Sequence, residues 1–147
     1  MAGNPKIIII GLDGATWTLF KPWVEKGELP TLKKLMERGV YGTPLSCIPC
    51  RSCNAIPTIY TGKNPCKWGM LDFPCFDVEL VHYEKIREKA LSLWDILGKF
   101  GYKSAVLNLP TTYPPTETAG VMVSGFPFSE EDEYTYPRDF KENVKGF

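Results

Sequence analysis

Residues 6–14 read KIIIIGLDG, and the fold class that the sequence predicts depends on this stretch. Four consecutive isoleucines bounded by Pro5 and Gly11 are typical of a strand that is buried on both faces, as in a parallel sheet. We therefore predict a strand over residues 6–12. Asp13 follows this strand, at the carboxyl edge of the predicted sheet, where open α/β folds bind ligands.

Asp13 has two interpretations. A carboxylate at this edge is a suitable ligand for a divalent metal ion. The alternative is that Asp13 caps a turn between Gly11 and Gly14 without binding anything. The residues themselves leave both interpretations open.

Strand and helix patterns alternate along the rest of the chain. The spacing of apolar residues and of Pro, Gly and Ser predicts helices over residues 16–26, 30–39, 52–60 and 92–101, strands over 40–48, 78–82, 104–109 and 121–124, and a helix from Pro137. On the second helix, Leu32, Leu35 and Met36 form the predicted buried face. The alternation indicates an α/β sandwich with a mostly parallel sheet of four or five strands.

The charge balance limits the classes of partner. The 17 basic and 17 acidic side chains cancel, which gives no electrostatic reason to expect a nucleic acid or an anionic membrane as partner. No apolar run approaches the ~20 residues that span a bilayer. The N-terminus lacks the long apolar run of a signal peptide, so we expect a cytoplasmic protein.

Ser52 is the second candidate site residue, because it stands where a helix is predicted to begin. Backbone N–H groups and the helix dipole favour a phosphate there, and they favour an alkoxide over an alcohol. The commoner role of such a serine is an ordinary helix cap. Arg51, directly before it, is a candidate phosphate contact.

The order of several motifs carries a family resemblance. The pieces IIIIGLDGATW, LPTLKKLMERGVYGTPLS, PTIYTGKNPCKWGMLDF, SLWDILGKFGYKSAVLNLPTTYPP, GVMVSGF and EYTYP cover nearly the whole chain. Together they resemble the type I phosphodiesterase/nucleotide pyrophosphatase family of the alkaline phosphatase superfamily. The resemblance implies an alkaline phosphatase-like fold and a metal-dependent hydrolase of small phosphate esters. It also implies a covalent phospho-enzyme and two divalent metal ions, usually zinc.

By this resemblance Asp13 matches a metal-binding aspartate, and Ser52 matches the nucleophile, which also contacts a metal. The loop that ends in His-Gly in many relatives ends here in Trp68-Gly69, and Phe73 stands where nucleotide pyrophosphatases have an asparagine. These differences argue against a nucleotide as the specific substrate. Relatives also carry further Asp and His ligands in a longer C-terminal part, whereas the only histidine here is His82.

We therefore expect residues 1–147 to be the N-terminal part of one alkaline phosphatase-like domain, truncated at its C-terminal side. Such a chain would be inactive alone, and a C-terminal partner chain would have to supply the missing ligands. The alternative is a non-catalytic remnant or binding protein that forms homo-oligomers, because exposed strand edges and apolar faces attract partners.

Three cysteines before and within the Ser52 helix suggest another site. Cys47, Cys50 and Cys53 have the C-x2-C-x2-C spacing of ligands for an iron–sulfur cluster or zinc. The fourth cysteine of the ferredoxin pattern is missing, since Ala55 and Ile56 occupy that region. The alternative is small buried residues with one reactive thiol beside the nucleophile. The sequence leaves the role of the three cysteines open.

Overall fold

The computed structural model describes residues 6–68, 83–126 and 131–144, and the chain divides into two compact units. The N-terminal unit is Met1–Pro44 and the C-terminal unit is Leu45–Phe147. The predicted strand over 78–82, including His82, lies outside the described residues.

Two helices form the regular structure of the N-terminal unit. Helix α1 is Trp17–Glu25, and its N-cap Thr16 accepts a hydrogen bond from the N–H of Thr18 at 3.4 Å. Helix α2 is Pro30–Arg38, with proline at the first position, where its missing N–H is not needed. Both helices agree with the prediction, because their start and stop residues are local features of the sequence.

The predicted apolar faces of these helices are confirmed in part. Val24 on α1 is buried, and Leu32 and Met36 on α2 are half-buried. Leu35 is 64% exposed, so the prediction that it belongs to the buried face is wrong. A helix of nine residues buries a narrow stripe, and Leu35 lies beside that stripe.

The predicted strand over residues 6–12 is not formed. Residues 6–12 have no regular secondary structure, and Ile7–Ile10 are 68–84% exposed. Residues 40–47 also form no strand, and Val40 and Leu45 are fully exposed. Isoleucine and valine favour strands only where a neighbouring strand binds the backbone and covers the side chains. Within the described residues, the only strands that pair are those of the C-terminal unit.

The C-terminal unit contains short helices and one sheet. Its elements are α3 (Ser52–Thr61), α4 (Pro65–Trp68), α5 (Tyr83–Lys89), α6 (Leu93–Lys99), β1 (Ser104–Leu109), β2 (Gly120–Ser124), β3 (Thr135–Tyr136) and a 3-10 helix (Arg138–Asn143). The predicted helix after Pro137 is thus a 3-10 helix. In the part of the chain that the structure describes, no helix combines the length and the apolar character needed to cross a bilayer.

The sheet is mixed, with strand order β1-β2-β3. Strand β2 pairs with β1 in parallel, Ser104 opposite Gly120, and with β3 antiparallel, Met122 opposite Tyr136. The prediction of a mostly parallel sheet is therefore confirmed for β1 and β2, and β3 was not predicted. Helices and a mixed three-stranded sheet are compatible with part of an alkaline phosphatase-like fold.

The core of the C-terminal unit lies between the sheet and the helices. Met122, at the centre of β2, is completely buried. The other buried members of the cluster are Tyr60, Trp68, Ile86, Ala90, Trp94 and Val106. Because α3, α5 and α6 all contribute to this cluster, the core fixes α3 relative to the sheet.

Candidate active site

Ser52 is the first residue of the ten-residue helix α3. The N-cap is Arg51, which has an extended backbone, and its carbonyl oxygen accepts hydrogen bonds from the N–H groups of Asn54 and Ala55 at 2.9 and 2.8 Å. The interpretation of Ser52 as an ordinary helix cap is therefore wrong by one position, because Arg51 is the N-cap. The prediction that Ser52 stands at the helix start is confirmed.

The N-terminus of α3 offers the environment that a phosphate needs. The first backbone N–H groups of a helix point along its axis, and the aligned peptide dipoles add partial positive charge. Ser52 is half-buried there, and the guanidinium-bearing Arg51 is exposed. Arg51 and Ser52 thus lie at one helix end.

Helix α3 contains a proline in its interior, at Pro57. Pro57 has no N–H to donate to the carbonyl of Cys53. The hydroxyl of Thr58 donates to the Asn54 carbonyl at 2.7 Å, and the hydroxyl of Thr61 donates to the Pro57 carbonyl at 2.6 Å. The helix continues to Thr61 and ends at Gly62, whose left-handed backbone (φ 65°) suits glycine.

Tyr60 connects α3 to the rest of the unit. Its hydroxyl shares a hydrogen bond with the hydroxyl of Thr111 at 3.4 Å, and its ring centroid lies 4.9 Å from that of Trp94. Thr111 follows β1 closely, so this contact ties the helix that carries Ser52 to the carboxyl end of a strand.

Buried hydroxyl groups at the carboxyl ends of β1 and β2 were not predicted from the sequence. Thr112 and Ser124 are fully buried. The Ser124 hydroxyl donates to the Thr112 carbonyl at 3.0 Å, and the Gly125 N–H donates to the Thr112 hydroxyl at 3.1 Å. Two threonines directly after a strand are the signal that could have revealed this network. It holds the ends of the two parallel strands together.

Asp13 lies in a turn of the N-terminal unit. The N–H of Ala15 donates to the Leu12 carbonyl at 3.3 Å, Gly14 has φ 70°, and Asp13 is exposed. Asp13 and Ser52 therefore belong to different units. Their convergence on one metal ion stays a prediction.

The three-cysteine metal site is not formed. Among residues 6–68, 83–126 and 131–144, no three His, Cys, Asp or Glu side chains are grouped so that they could hold a metal ion. Cys53 is buried, and its thiol donates to the Asn54 side-chain oxygen at 2.7 Å, whereas Cys50 is exposed. Cys53 lies in the first turn of α3, whereas Cys50 lies before the helix. The two thiols are therefore in different surroundings, one buried and one exposed.

The comparison with protein families identifies a family that matches most of the chain. The model of the family described as type I phosphodiesterase/nucleotide pyrophosphatase matches residues 7–146, a range that contains Asp13, Arg51 and Ser52. Neither the search of curated proteins nor that of solved structures found a match.

Proposed function

Because the chain belongs to the type I phosphodiesterase/nucleotide pyrophosphatase family, we propose that it hydrolyses phosphate esters through a covalent phospho-enzyme on Ser52. At the level of the family, this is a hydrolase of the phosphodiesterase and pyrophosphatase type. The observation that carries the proposal is the position of Ser52 at the N-terminus of α3, inside the matched region.

The proposed reaction has two steps. The Ser52 oxygen attacks phosphorus, the bond to the leaving alcohol breaks, and the serine proton ends on that alcohol. Water then attacks the phosphorus bound to Ser52, which releases the phosphate with any ester group that it still carries and restores the serine hydroxyl. The N–H groups at the start of α3 and the guanidinium of Arg51 bind the non-bridging phosphate oxygens in both steps.

Metal ions belong to the proposal through the family, whose members generally depend on them. We propose Asp13 and Ser52 as ligands of a divalent ion, with two zinc ions as the arrangement that the family suggests. The described residues do not form a site of three or more ligands, so this pair does not make a complete site. Additional ligands are required to complete the site.

Hydrolysis of bis(p-nitrophenyl) phosphate by the full chain, with zinc or manganese added, tests the proposal. Ser52→Ala is expected to lower the rate by at least about 100-fold, as loss of a nucleophile does. Ser46→Ala, a change at an exposed serine shortly before α3, serves as the matched control and is expected to leave the rate unchanged. Acid-quenched wild-type protein should carry a p-nitrophenyl phosphoryl group on residue 52 in a mass spectrum.

Two results would overturn the catalytic proposal. Equal rates for the wild type and Ser52→Ala would exclude Ser52 as the nucleophile. A wild-type chain that hydrolyses nothing with either metal would exclude catalysis by this chain.

A second candidate function is self-association without catalysis. It is favoured by the exposure of Ile7–Ile10 and by the position of β1 as an edge strand of the described sheet. An apolar β-branched segment and an edge strand are each sites at which a second copy can add. The isoleucine run and the edge strand β1 are present in the same chain. The run of one copy could therefore pair with β1 of another.

A further inference from the structure

Two thiols lie on the segment that leads into α3. Cys50 is exposed, directly before the N-cap Arg51, and Cys47 is half-buried. The thiol of Cys47 donates a hydrogen bond to the carbonyl oxygen of Pro49 at 3.3 Å. Ile48 and Pro49 form a bend between the two cysteines.

This hydrogen bond limits the distance between the cysteines. The Pro49 carbonyl belongs to the peptide group that ends at the Cys50 Cα, so standard bond lengths place the Cys47 sulfur within about 6 Å of that Cα. A disulfide needs Cα atoms roughly 4.4–6.8 Å apart and Cβ atoms that face each other. Residues 45–50 belong to no helix or strand, so no backbone ladder opposes the rotation that closure requires.

We propose that Cys47 and Cys50 are a thiol pair that closes to a disulfide directly before α3. The oxidant is a small-molecule disulfide. The Cys50 thiolate attacks one sulfur of that disulfide, which forms a mixed disulfide and releases one small thiolate. The Cys47 thiolate then attacks the Cys50 sulfur, the Cys47–Cys50 bond forms, and the second small thiolate leaves. The two protein thiols lose two electrons to the small disulfide, and their two protons end on the released thiols.

The other two described cysteines are not members of the pair. Cys53 is 1% exposed, and its thiol donates to the Asn54 side chain, so it is inaccessible to a dissolved oxidant. Cys66 is exposed on α4 and is the natural control for an accessible thiol.

The position of the pair has a consequence that rests on the proposed function. Cys50 is bonded to Arg51 and lies two residues from Ser52. A closed disulfide would hold the segment before the helix in one conformation and would restrict how Arg51 approaches a bound phosphate. Oxidation would then change hydrolysis reversibly.

Peptide mapping tests the pairing without any activity measurement. The full native chain is incubated with oxidised and reduced glutathione, its remaining thiols are alkylated, and it is digested with trypsin. Cleavage after Arg38, Arg51 and Lys63 places Cys47 and Cys50 in the peptide 39–51 and Cys53 in the peptide 52–63. The expected result is a 39–51 peptide that is lighter by two hydrogen atoms and unalkylated.

Variants and unfolded protein supply the controls. In Cys47→Ser the residue 39–51 peptide should carry one glutathione on Cys50, and in Cys66→Ser the internal disulfide should form as in the wild type. The native chain should close at a ratio of oxidised to reduced glutathione about tenfold lower than the urea-unfolded chain. A doubly alkylated 39–51 peptide, a cross-link to the 52–63 peptide, or equal ratios for native and unfolded chain would each overturn the proposal.

Discussion

Asp95 is an acidic residue whose side chain is almost completely buried and has several polar partners. Its carboxylate accepts hydrogen bonds from the N–H and the hydroxyl of Ser92 at 3.0 and 2.6 Å, and it pairs with Arg87 at 3.0 Å. Its side chain is 6% exposed. Asp95→Ala removes the capping box of α6 and leaves Arg87 without this partner. We therefore expect a loss of roughly 2–3 kcal/mol in the free energy of unfolding, measured by urea denaturation.

Glu133→Ala is the matched control for this change. Glu133 pairs with Arg138 at 3.2 Å, but the two side chains are 53% and 80% exposed. Water already solvates both charges, so the substitution should change the free energy of unfolding by less than about 0.5 kcal/mol. Equal losses in the two variants would show that the Asp95 interactions do not stabilise the fold.

Residues with partners close in sequence could be predicted, and residues with distant partners could not. The helix predicted over residues 92–101 is marked at its start by Ser92, whose capping partner Asp95 lies three residues later. The position of Ser52 at the start of a helix was likewise predicted from the local sequence. The hydrogen bond between Tyr60 and Thr111 was not, because it joins residues 51 positions apart. A metal pocket shared by Asp13 and Ser52 depends on such distant placement and therefore stays a prediction.

Gly125 shows how closely the elements of the sheet approach each other. A Cβ atom at this position would overlap the backbone of Leu109 and Pro110. Backbone cannot move aside as a flexible side chain can, so Gly125→Ala should separate the ends of β1 and β2. We expect a loss of roughly 1–3 kcal/mol, measured by urea denaturation.

The control for this substitution is Gly42→Ala. A Cβ at Gly42 meets no atom within 4 Å, so its effect should stay within about 1 kcal/mol. If Gly125→Ala is as stable as Gly42→Ala, the close contact between the strand ends does not exist in solution.

Elements were predictable where the sequence marks their ends. Helix α2 begins at Pro30 and is followed by Gly39, and β1 was predicted with its observed bounds. The isoleucine run was wrong as a strand, because strand formation depends on a paired neighbour rather than on the run itself. Strand β3 is two residues long and is defined only by pairing with β2, so no local pattern indicates it.

At the scale of the whole molecule, the exposed isoleucines form an apolar segment that a second copy could cover. Ile7, Ile8, Ile9 and Ile10 are each at least 68% exposed. Burying one isoleucine side chain contributes about 1.5–3 kcal/mol, so a contact that covers this run can hold two copies together. The proposed hydrolase and the self-associating protein differ in this respect, because the catalytic proposal does not require two copies.

The double substitution Ile8→Lys with Ile10→Lys tests self-association. Two charges at these positions remove apolar contact area and repel an identical charged segment, so the dissociation constant of the dimer should rise by at least about 100-fold. Sedimentation velocity over a range of concentrations measures this directly. Leu35→Lys is the control, since Leu35 is a comparably exposed apolar residue that lies on α2 instead of in the run.

Two results would mean that the isoleucine run is not the contact between copies. One is a wild-type chain that stays monomeric at every concentration. The other is a dimer that Leu35→Lys weakens as much as the double substitution does. A monomeric wild type would also exclude self-association as the function of the chain, whereas the hydrolysis experiment on Ser52 would be unaffected.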